Sequence, residues 1–192
     1  MFHGINSITL EKKNVLLFNS YSKTGSKVLS NHYPCHLEYG GHSFHSTEQL
    51  FYCLRLSEFP ESQEEIMQCP DAKAVKKNGD LLIKRHKINL SAETEVRLLR
   101  FCIQLKYIQC PEFKNFLLQH PTERLVEYAP WGDNTYGMVD TDESNKWNWY
   151  KGEVAGQNVC GRLIMEVRNS AQEGDIIPTP PAGAKLFGNS VK

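Results

Sequence analysis

Short apolar runs separated by polar turns predict β-strands in the first part of the chain. Residues 15–18 are apolar at every position, which is typical of a buried strand. Residues 36–39 and 42–44 flank the pair Gly40-Gly41, and this arrangement predicts a hairpin with a tight turn. Residues 20–27 are polar, so we expect a loop between the first strand and the hairpin.

Beyond the hairpin, the apolar positions change to helical spacing. Ser46 or Thr47 is suited to cap a helix, and Leu50 and Leu54 recur on one of its faces. Further helices are predicted over residues 60–69, 70–78 and 92–108, from Pro111, and from Asn158. Gly79 is expected to end the third helix.

The rest of the chain predicts one strand, two irregular segments and a tail. Residues 124–129 are a predicted strand, residues 130–137 a turn-rich loop, and residues 139–156 a polar and aromatic hairpin or excursion. From residue 174 to 192 proline, glycine and small residues predominate, so we expect a tail that is ordered only if it docks. These elements predict an α+β protein: a helix-dominated single domain over residues 1–173, with a few short strands.

Composition narrows the class of protein. The 22 basic residues balance the 22 acidic residues, whereas a dedicated nucleic-acid binder usually has a basic excess; a local basic cleft remains compatible with this balance. The six cysteines form no C-x-x-C pair, which favours reduced thiols in a cytoplasmic or nuclear protein. No apolar run has the length of a signal-peptide core or a membrane helix, so we expect no membrane partner.

Three positions could carry chemistry, and each also has a purely structural interpretation. Glu48 lies in the first turn of a predicted helix, where carboxylates are common because the helix dipole favours them. Lys106 lies beside an apolar row, where a lysine usually extends its ammonium group to solvent. Trp131-Gly132-Asp133 follows a strand, and this loop could either bind a ligand or form a packed turn. Taken one at a time, these residues do not choose between the interpretations.

Six motifs in a fixed order favour the chemical interpretation of these residues over the structural one. They are Leu29-Ser30-Asn31, the run from Gly41 to Glu48 followed by Phe51, the helix segment from Val75 to Gly79, Lys106-Tyr107, the strand at residues 125–127 with Trp131-Gly132, and the helix from Asn158 to Arg168. Through these motifs the chain resembles the NADAR (YbiA-like) family over residues 28–170. Residues 1–173 are therefore expected to be a NADAR-like catalytic domain.

The resemblance implies hydrolysis of an N-glycosidic bond at C1′ of a phosphorylated ribose. Breaking this bond develops positive charge on the sugar, and a fixed carboxylate such as Glu48 can stabilise it. Asp133 is expected to transfer a proton or grip the ribose hydroxyls, and Lys106 could attack an opened C1′ aldehyde as a Schiff base.

The resemblance also implies a set of residues that bind the substrate. Trp131 is expected to stack on the base, with Gly132 in the same loop, while Asn31 and Asn158 hydrogen-bond sugar or phosphate. No cofactor and no metal are expected.

The chain departs from the family pattern at three places. His32 replaces an aromatic residue, residues 85–90 lack a tryptophan that family members often carry, and the stretch between Asp133 and Asn158 is longer than usual. That stretch contains Trp147, Trp149 and Tyr150, which could replace the missing stacking surface, bind single-stranded nucleic acid or pack on themselves. The substrate could therefore also differ.

Several alternatives remain open from the sequence. A metal site at His42, His45 and Glu48 is disfavoured because the predicted hairpin turns two of these side chains elsewhere. A module that binds ADP-ribose without cleaving it would not need Glu48 and Lys106. Among enzymes, removal of ADP-ribose from guanine in DNA or nucleotides is narrowly favoured over cleavage of a small ribosyl phosphate intermediate of riboflavin synthesis. The oligomeric state is not predicted.

Overall fold

The computed structural model describes residues 6–10, 14–142, 144 and 152–190. The chain divides into two compact units. The first unit comprises Met1–Ser30 and Asn115–Gly174, and the second comprises Asn31–Lys114 and Asp175–Lys192. Each unit has its own strands and its own buried core.

The described residues form nine strands and six α-helices. The strands are β1 (Asn6–Thr9), β2 (Val15–Phe18), β3 (Pro34–Tyr39), β4 (His42–Ser46), β5 (Arg124–Glu127), β6 (Val139–Asp140), β7 (Glu153–Gly156), β8 (Lys185–Leu186) and β9 (Asn189–Ser190). The helices are α1 (Thr47–Arg55), α2 (Pro60–Met67), α3 (Ala72–Arg85), α4 (Ala92–Gln109), α5 (Pro111–Gln119) and α6 (Val159–Glu173). A 3₁₀ helix covers Gly25–Leu29. The predicted α+β class with dominant helices is confirmed.

The first unit is built on two small sheets. β1, β7 and β6 form an antiparallel sheet in that order, and β2 pairs with β5 in parallel. Buried apolar side chains from these strands and the segments beside them form one cluster: Ile8, Leu10, Leu17, Val126, Tyr128, Met138 and Val154. Helix α6 packs on β5. The predicted strand at residues 15–18 is confirmed, while β1 and the 3₁₀ helix were not predicted.

The second unit begins with the predicted hairpin, which is confirmed. β3 and β4 pair antiparallel, and Gly40 and Gly41 form the turn with φ angles of 59° and 79°. Positive φ at both central residues is the geometry of a two-residue hairpin turn, and glycine adopts it without strain. Helix α1 follows β4 directly, so the hairpin fixes where the helix begins. Helices α3 and α4 both pack against α1.

The predicted end of the third helix at Gly79 is wrong. Helix α3 starts at Ala72, after an Asp71 cap, and continues through Gly79 to Arg85. Gly79 is buried, and a β-carbon there would collide with the Tyr52 ring. The glycine is therefore present for close packing of α3 against α1, which the helical pattern of α3 alone does not reveal.

The carboxy-terminal tail packs within the second unit. Leu186 is buried, and β8 pairs with β9 in a short hairpin. The buried Gln63 on α2 donates from Nε2 to the Lys185 carbonyl (2.9 Å), and its Oε1 accepts from the Phe187 N–H (2.6 Å). The tail is therefore docked on the second unit, which is the condition that the sequence set for its order.

The excursion predicted over residues 139–156 is described only at its two ends. These ends are β6 and β7, which pair antiparallel as a hairpin would. Trp147, Trp149 and Tyr150 lie outside the described residues. No helix in the described part of the chain is long and apolar enough to span a membrane.

Candidate active site

Glu48 lies in the first turn of α1, where hydrogen bonds hold the start of the helix. The Ser46 side chain caps the helix by accepting from the Gln49 N–H (3.2 Å between N and Oγ). The Glu48 N–H donates to the Asn31 carbonyl (3.1 Å between N and O). Only 7% of Glu48 is exposed. The second unit therefore fixes a nearly buried carboxylate at a helix start, where the dipole favours negative charge.

The Glu48 carboxylate has one histidine beside it and acts on two buried groups through its charge. His32 Nε2 lies 3.5 Å from Glu48 Oε1, so a protonated imidazole would form an ion pair with it. Burial raises the pKa of Tyr52, and the Glu48 charge raises it further. Burial and then the Glu48 charge likewise raise the pKa of the Cys102 thiol.

Lys106 follows Cys102 by one helical turn, so the two side chains share a face of α4. Lys106 is 0% exposed, which excludes the usual arrangement in which a lysine extends to solvent. Its Nζ lies 4.7 Å from the ring centroid of Phe113 and 5.8 Å from that of Tyr33. These cation–π contacts are worth more when the cation is removed from water. Asn31, Glu48 and Lys106 all lie in the second unit.

The predicted loop residues lie in the first unit. Trp131 is 46% exposed and meets Tyr21 edge-to-face, with ring centroids 6.0 Å apart. Gly132 has a φ of 108°, which a residue with a β-carbon rarely adopts. The loop therefore presents a large aromatic surface to solvent.

Asp133 stabilises the same loop through its own backbone. Its Oδ1 accepts from the N–H groups of Thr135 (3.1 Å) and Tyr136 (2.9 Å). This is the structural interpretation that the sequence left open for an aspartate in a turn. The predicted role of Asp133 in proton transfer or in gripping the ribose hydroxyls stays a prediction.

Asn158 holds strand β5 with its side-chain amide. Oδ1 accepts from the Glu127 N–H (3.0 Å), and Nδ2 donates to the Leu125 carbonyl (2.9 Å). The residue is 4% exposed and has a left-handed backbone with a φ of 49°. These two bonds use one oxygen lone pair and one of the two N–H groups of the amide. The geometry shows a structural role for Asn158, and its predicted contact with sugar or phosphate stays a prediction.

The histidines of the hairpin have partners other than a metal. His42 stacks on Phe187 with ring centroids 4.2 Å apart, and His45 Nε2 lies 3.0 Å from the Cys69 carbonyl oxygen. Within the residues that the structure describes, no three His, Cys, Asp or Glu side chains are placed to hold a metal ion.

Sequence reasoning missed the side chains that surround the predicted ones. It noted His32 only as a departure from a family pattern, it predicted Phe113 only as an inward-facing residue of the helix from Pro111, and it passed over Tyr33 and Tyr21. Tyr33 and Tyr21 gain their roles from contacts with distant parts of their units. The local sequence carries no signal of helical or strand period that would have identified these two tyrosines.

Comparison with known proteins places this arrangement in a fold class and a family. The fold is similar to that in the NMR structure of the E. coli protein YbiA, with a TM-score of 0.61 and 19% identity. The match covers 84% of this chain and 88% of that chain. No curated protein sequence matches the chain significantly.

The sequence matches the model of the NADAR domain over residues 17–172. The chain therefore belongs to the NADAR family, which is associated with N-glycosidase activity. The resemblance inferred from six ordered motifs is confirmed.

Proposed function

We propose that this chain is an N-glycosidase that hydrolyses the bond between a base and C1′ of a phosphorylated ribose. The observation that carries the proposal is the nearly buried carboxylate of Glu48, held at the start of α1 beside His32. A buried carboxylate at a fixed position is suited to stabilising a developing cation, because its surroundings do not need to reorganise during the reaction.

Glu48 acts on the sugar in this mechanism. As the C1′–N bond lengthens, the sugar becomes an oxocarbenium-like cation, and the carboxylate stabilises that charge and directs a water molecule to C1′. The hydrogen bond from the Glu48 N–H to the Asn31 carbonyl fixes the backbone from which the carboxylate extends. His32, 3.5 Å from the carboxylate, helps to orient it.

Lys106 offers a second route at the same carbon. Its amine is surrounded by the rings of Phe113 and Tyr33 and excluded from solvent. If the ribose ring opens with the base still attached, C1′ becomes an iminium of the base nitrogen; the neutral lysine amine adds to C1′, a proton passes to the base nitrogen, and the base leaves as the C1′–N bond breaks. Water then hydrolyses the resulting Schiff base to free lysine and the C1′ aldehyde of the sugar.

Removal of ADP-ribose from guanine in DNA or nucleotides is the substrate that we favour. The exposed pair Tyr21–Trp131 in the first unit supports this choice, since exposed aromatic rings form stacking surfaces for nucleobases. The alternatives are a ribosyl phosphate intermediate of riboflavin synthesis, which needs only a small pocket, and a module that binds ADP-ribose without cleaving it.

The test compares wild type with Glu48→Gln on two substrates: an oligonucleotide carrying ADP-ribose on guanine, and the riboflavin-pathway ribosyl phosphate. Glutamine keeps the shape of the side chain but removes its charge. We expect kcat to fall by about 10²–10³-fold, the usual cost of losing one electrostatic stabiliser. Glu61→Gln is the matched control, because Glu61 is also in the first turn of a helix but is exposed. The control should retain full activity.

The outcomes separate the three possibilities. Release of ADP-ribose from the oligonucleotide supports the favoured substrate, and turnover of only the small phosphate supports the first alternative. If wild type cleaves neither substrate but binds ADP-ribose, the enzymatic proposal is wrong. Equal activity of wild type and Glu48→Gln would remove Glu48 from the mechanism.

A further inference from the structure

Helix α3 concentrates positive charge in a chain whose overall charge is balanced. Residues 73–87 contain six of the 22 basic residues and one of the 22 acidic residues. The rest of the chain therefore has 16 basic and 21 acidic residues, a net charge of −5. A separation of charge of this kind creates a local field that attracts the opposite charge, although the whole molecule is neutral. The balanced composition thus conceals one strongly basic segment.

The lysines of α3 share one side of the helix. Four exposed lysines fall within an arc of about 100° on its surface: Lys73, Lys76, Lys77 and Lys84. We call this set the α3 lysine stripe. The buried side of the helix is separate from this arc, since it contains Gly79, which packs against the Tyr52 ring of α1. From its first to its last lysine the stripe is about 16 Å long, at 1.5 Å per residue.

Nearby carboxylates neutralise only part of the α3 lysine stripe. Asp80 lies within the arc, where it pairs with Lys76 (3.5 Å between Oδ2 and Nζ) and accepts from the Tyr52 hydroxyl. Arg85 lies outside the arc and pairs with Glu65 of α2 (3.2 Å between Nη1 and Oε1), so the acidic helix α2 lies along another side of α3.

Two lysines of the stripe keep their charge uncompensated. Neither Lys77 nor Lys84 forms an ion pair with any residue that the structure describes. Together with Lys73 they outnumber the single carboxylate of the arc, even after Asp80 has neutralised Lys76. The α3 lysine stripe therefore presents a net positive charge to the surrounding solution.

The side chains of the stripe are suited to a phosphodiester backbone. A lysine ammonium binds phosphate as a point charge, and contacts with phosphate do not read the base sequence. A helix that binds a membrane surface needs large apolar side chains beside its basic ones. On α3, all of which the structure describes, the one exposed large apolar residue is Leu81, and it lies outside the arc. Because each DNA strand has a phosphate about every 3.4 Å, the stripe is as long as about five phosphates.

We propose that the α3 lysine stripe binds the phosphodiester backbone of DNA independently of base sequence. This proposal deepens the proposed function and rests on it for the choice of DNA, because a glycosidase that acts on a guanine in DNA has to hold the strand beside that guanine. The stripe and Glu48 belong to the same unit. The hydrogen bond from Tyr52 to Asp80 connects α1, which carries Glu48, with α3, which carries the stripe.

The test measures how unmodified, fluorescently labelled DNA duplexes bind to the full-length protein, by anisotropy between about 50 and about 200 mM salt. The duplexes carry no ADP-ribose, so the result does not depend on catalysis. Two duplexes of unrelated sequence should bind wild type equally. The double variant Lys77→Gln/Lys84→Gln should bind both about tenfold more weakly, and the slope of log K against log salt should decrease by about two, because two phosphate contacts are lost.

The matched control is Arg97→Gln/Lys114→Gln, which removes the same charge from exposed positions on α4 and α5. It should bind the duplexes like wild type, because these residues lie outside the α3 lysine stripe. Circular dichroism and thermal unfolding verify that each variant is folded. Vesicles of phosphatidylserine and phosphatidylcholine test the other anionic surface, and wild type should bind the duplexes in preference to them.

Three results would overturn the proposal: no binding of duplexes by wild type at about 50 mM salt, equal affinities of the two double variants, or binding of vesicles in preference to duplexes. The glycosidase proposal fails separately. If wild type binds duplexes through the stripe but releases no ADP-ribose from the modified oligonucleotide, the stripe is supported and the favoured substrate is wrong. If ADP-ribose is released and the stripe variant binds DNA like wild type, the glycosidase is supported and the stripe is wrong.

Discussion

At the residue scale, Lys106 is a fully buried side chain that carries an amine. Removing an ammonium group from water costs several kcal/mol, and the cation–π contacts with Phe113 and Tyr33 offset part of that cost. An apolar side chain of similar volume avoids this cost. A role of the lysine in the reaction explains why it is present at this position.

We expect Lys106→Met to lose glycosidase activity while its melting temperature stays unchanged or rises. Replacing a buried charge with an apolar side chain of similar volume is often neutral or stabilising, by about 1–4 kcal/mol. Lys114→Met is the matched control: Lys114 also lies over an aromatic ring, that of Tyr107, but it is exposed. Kinetics and thermal unfolding of both variants test this prediction, and a strongly destabilised Lys106→Met would instead indicate that the lysine is structural.

Asn158 combines two structural functions that can be separated by substitution. Asn158→Ala removes both hydrogen bonds to β5 and keeps a β-carbon at a positive φ, whereas Asn158→Gly removes the bonds and also relieves the backbone. We expect the alanine variant to lose about 2–4 kcal/mol of unfolding free energy and the glycine variant about 1 kcal/mol less. Urea denaturation measures both. Equal losses would show that the backbone conformation contributes nothing.

At the element scale, local signals and packing contribute differently to the helices. Ser46, Asp71 and Ser91 each cap a helix through a side-chain hydrogen bond, so these starts could be predicted from the residue type. The length of α3 could not be predicted in the same way. Gly79 resembles a stop signal, but its lack of a β-carbon allows the Tyr52 ring to pack against α3.

Gly79→Ala should therefore destabilise the protein, although alanine favours a helix over glycine by about 1 kcal/mol. The added methyl group meets a buried tyrosine ring whose hydroxyl is hydrogen-bonded to Asp80, so the ring cannot move freely. We expect a net loss of about 1–3 kcal/mol in thermal or denaturant unfolding. Lys77→Ala, at an exposed position of the same helix, should cause little change. A stabilised Gly79→Ala would mean that α1 and α3 are not packed this closely.

At the scale of the whole molecule, the tail extends the structure beyond the matched family domain. The family match ends at residue 172, but the segment after it supplies the buried Ala184 and Leu186 and two hydrogen bonds to Gln63. A domain boundary at residue 173 stays a prediction. The tail nevertheless acts as part of the core of the second unit.

Deleting the residues after Gly174 should lower the unfolding free energy by about 2–5 kcal/mol, because apolar burial is lost and Gln63 keeps only its bond to the Cys53 carbonyl. Gln63→Ala should cost less in the truncated chain than in the full chain, since two of its partners are already gone. A double-mutant cycle by denaturant unfolding measures this coupling. Additive effects would show that the tail does not bind through Gln63.

The sequence by itself determined the hairpin, most of the helices, the α+β class and the family, because these depend on period, capping residues and ordered motifs. It also identified Glu48 and Lys106 as candidates, although it could not say that Lys106 is fully buried. Only the tertiary structure decided that Gly79 lies within a helix, that Asn158 holds β5, and that the tail binds Gln63. Each of these facts depends on contacts between residues distant in sequence, and such contacts leave no periodic trace in the chain.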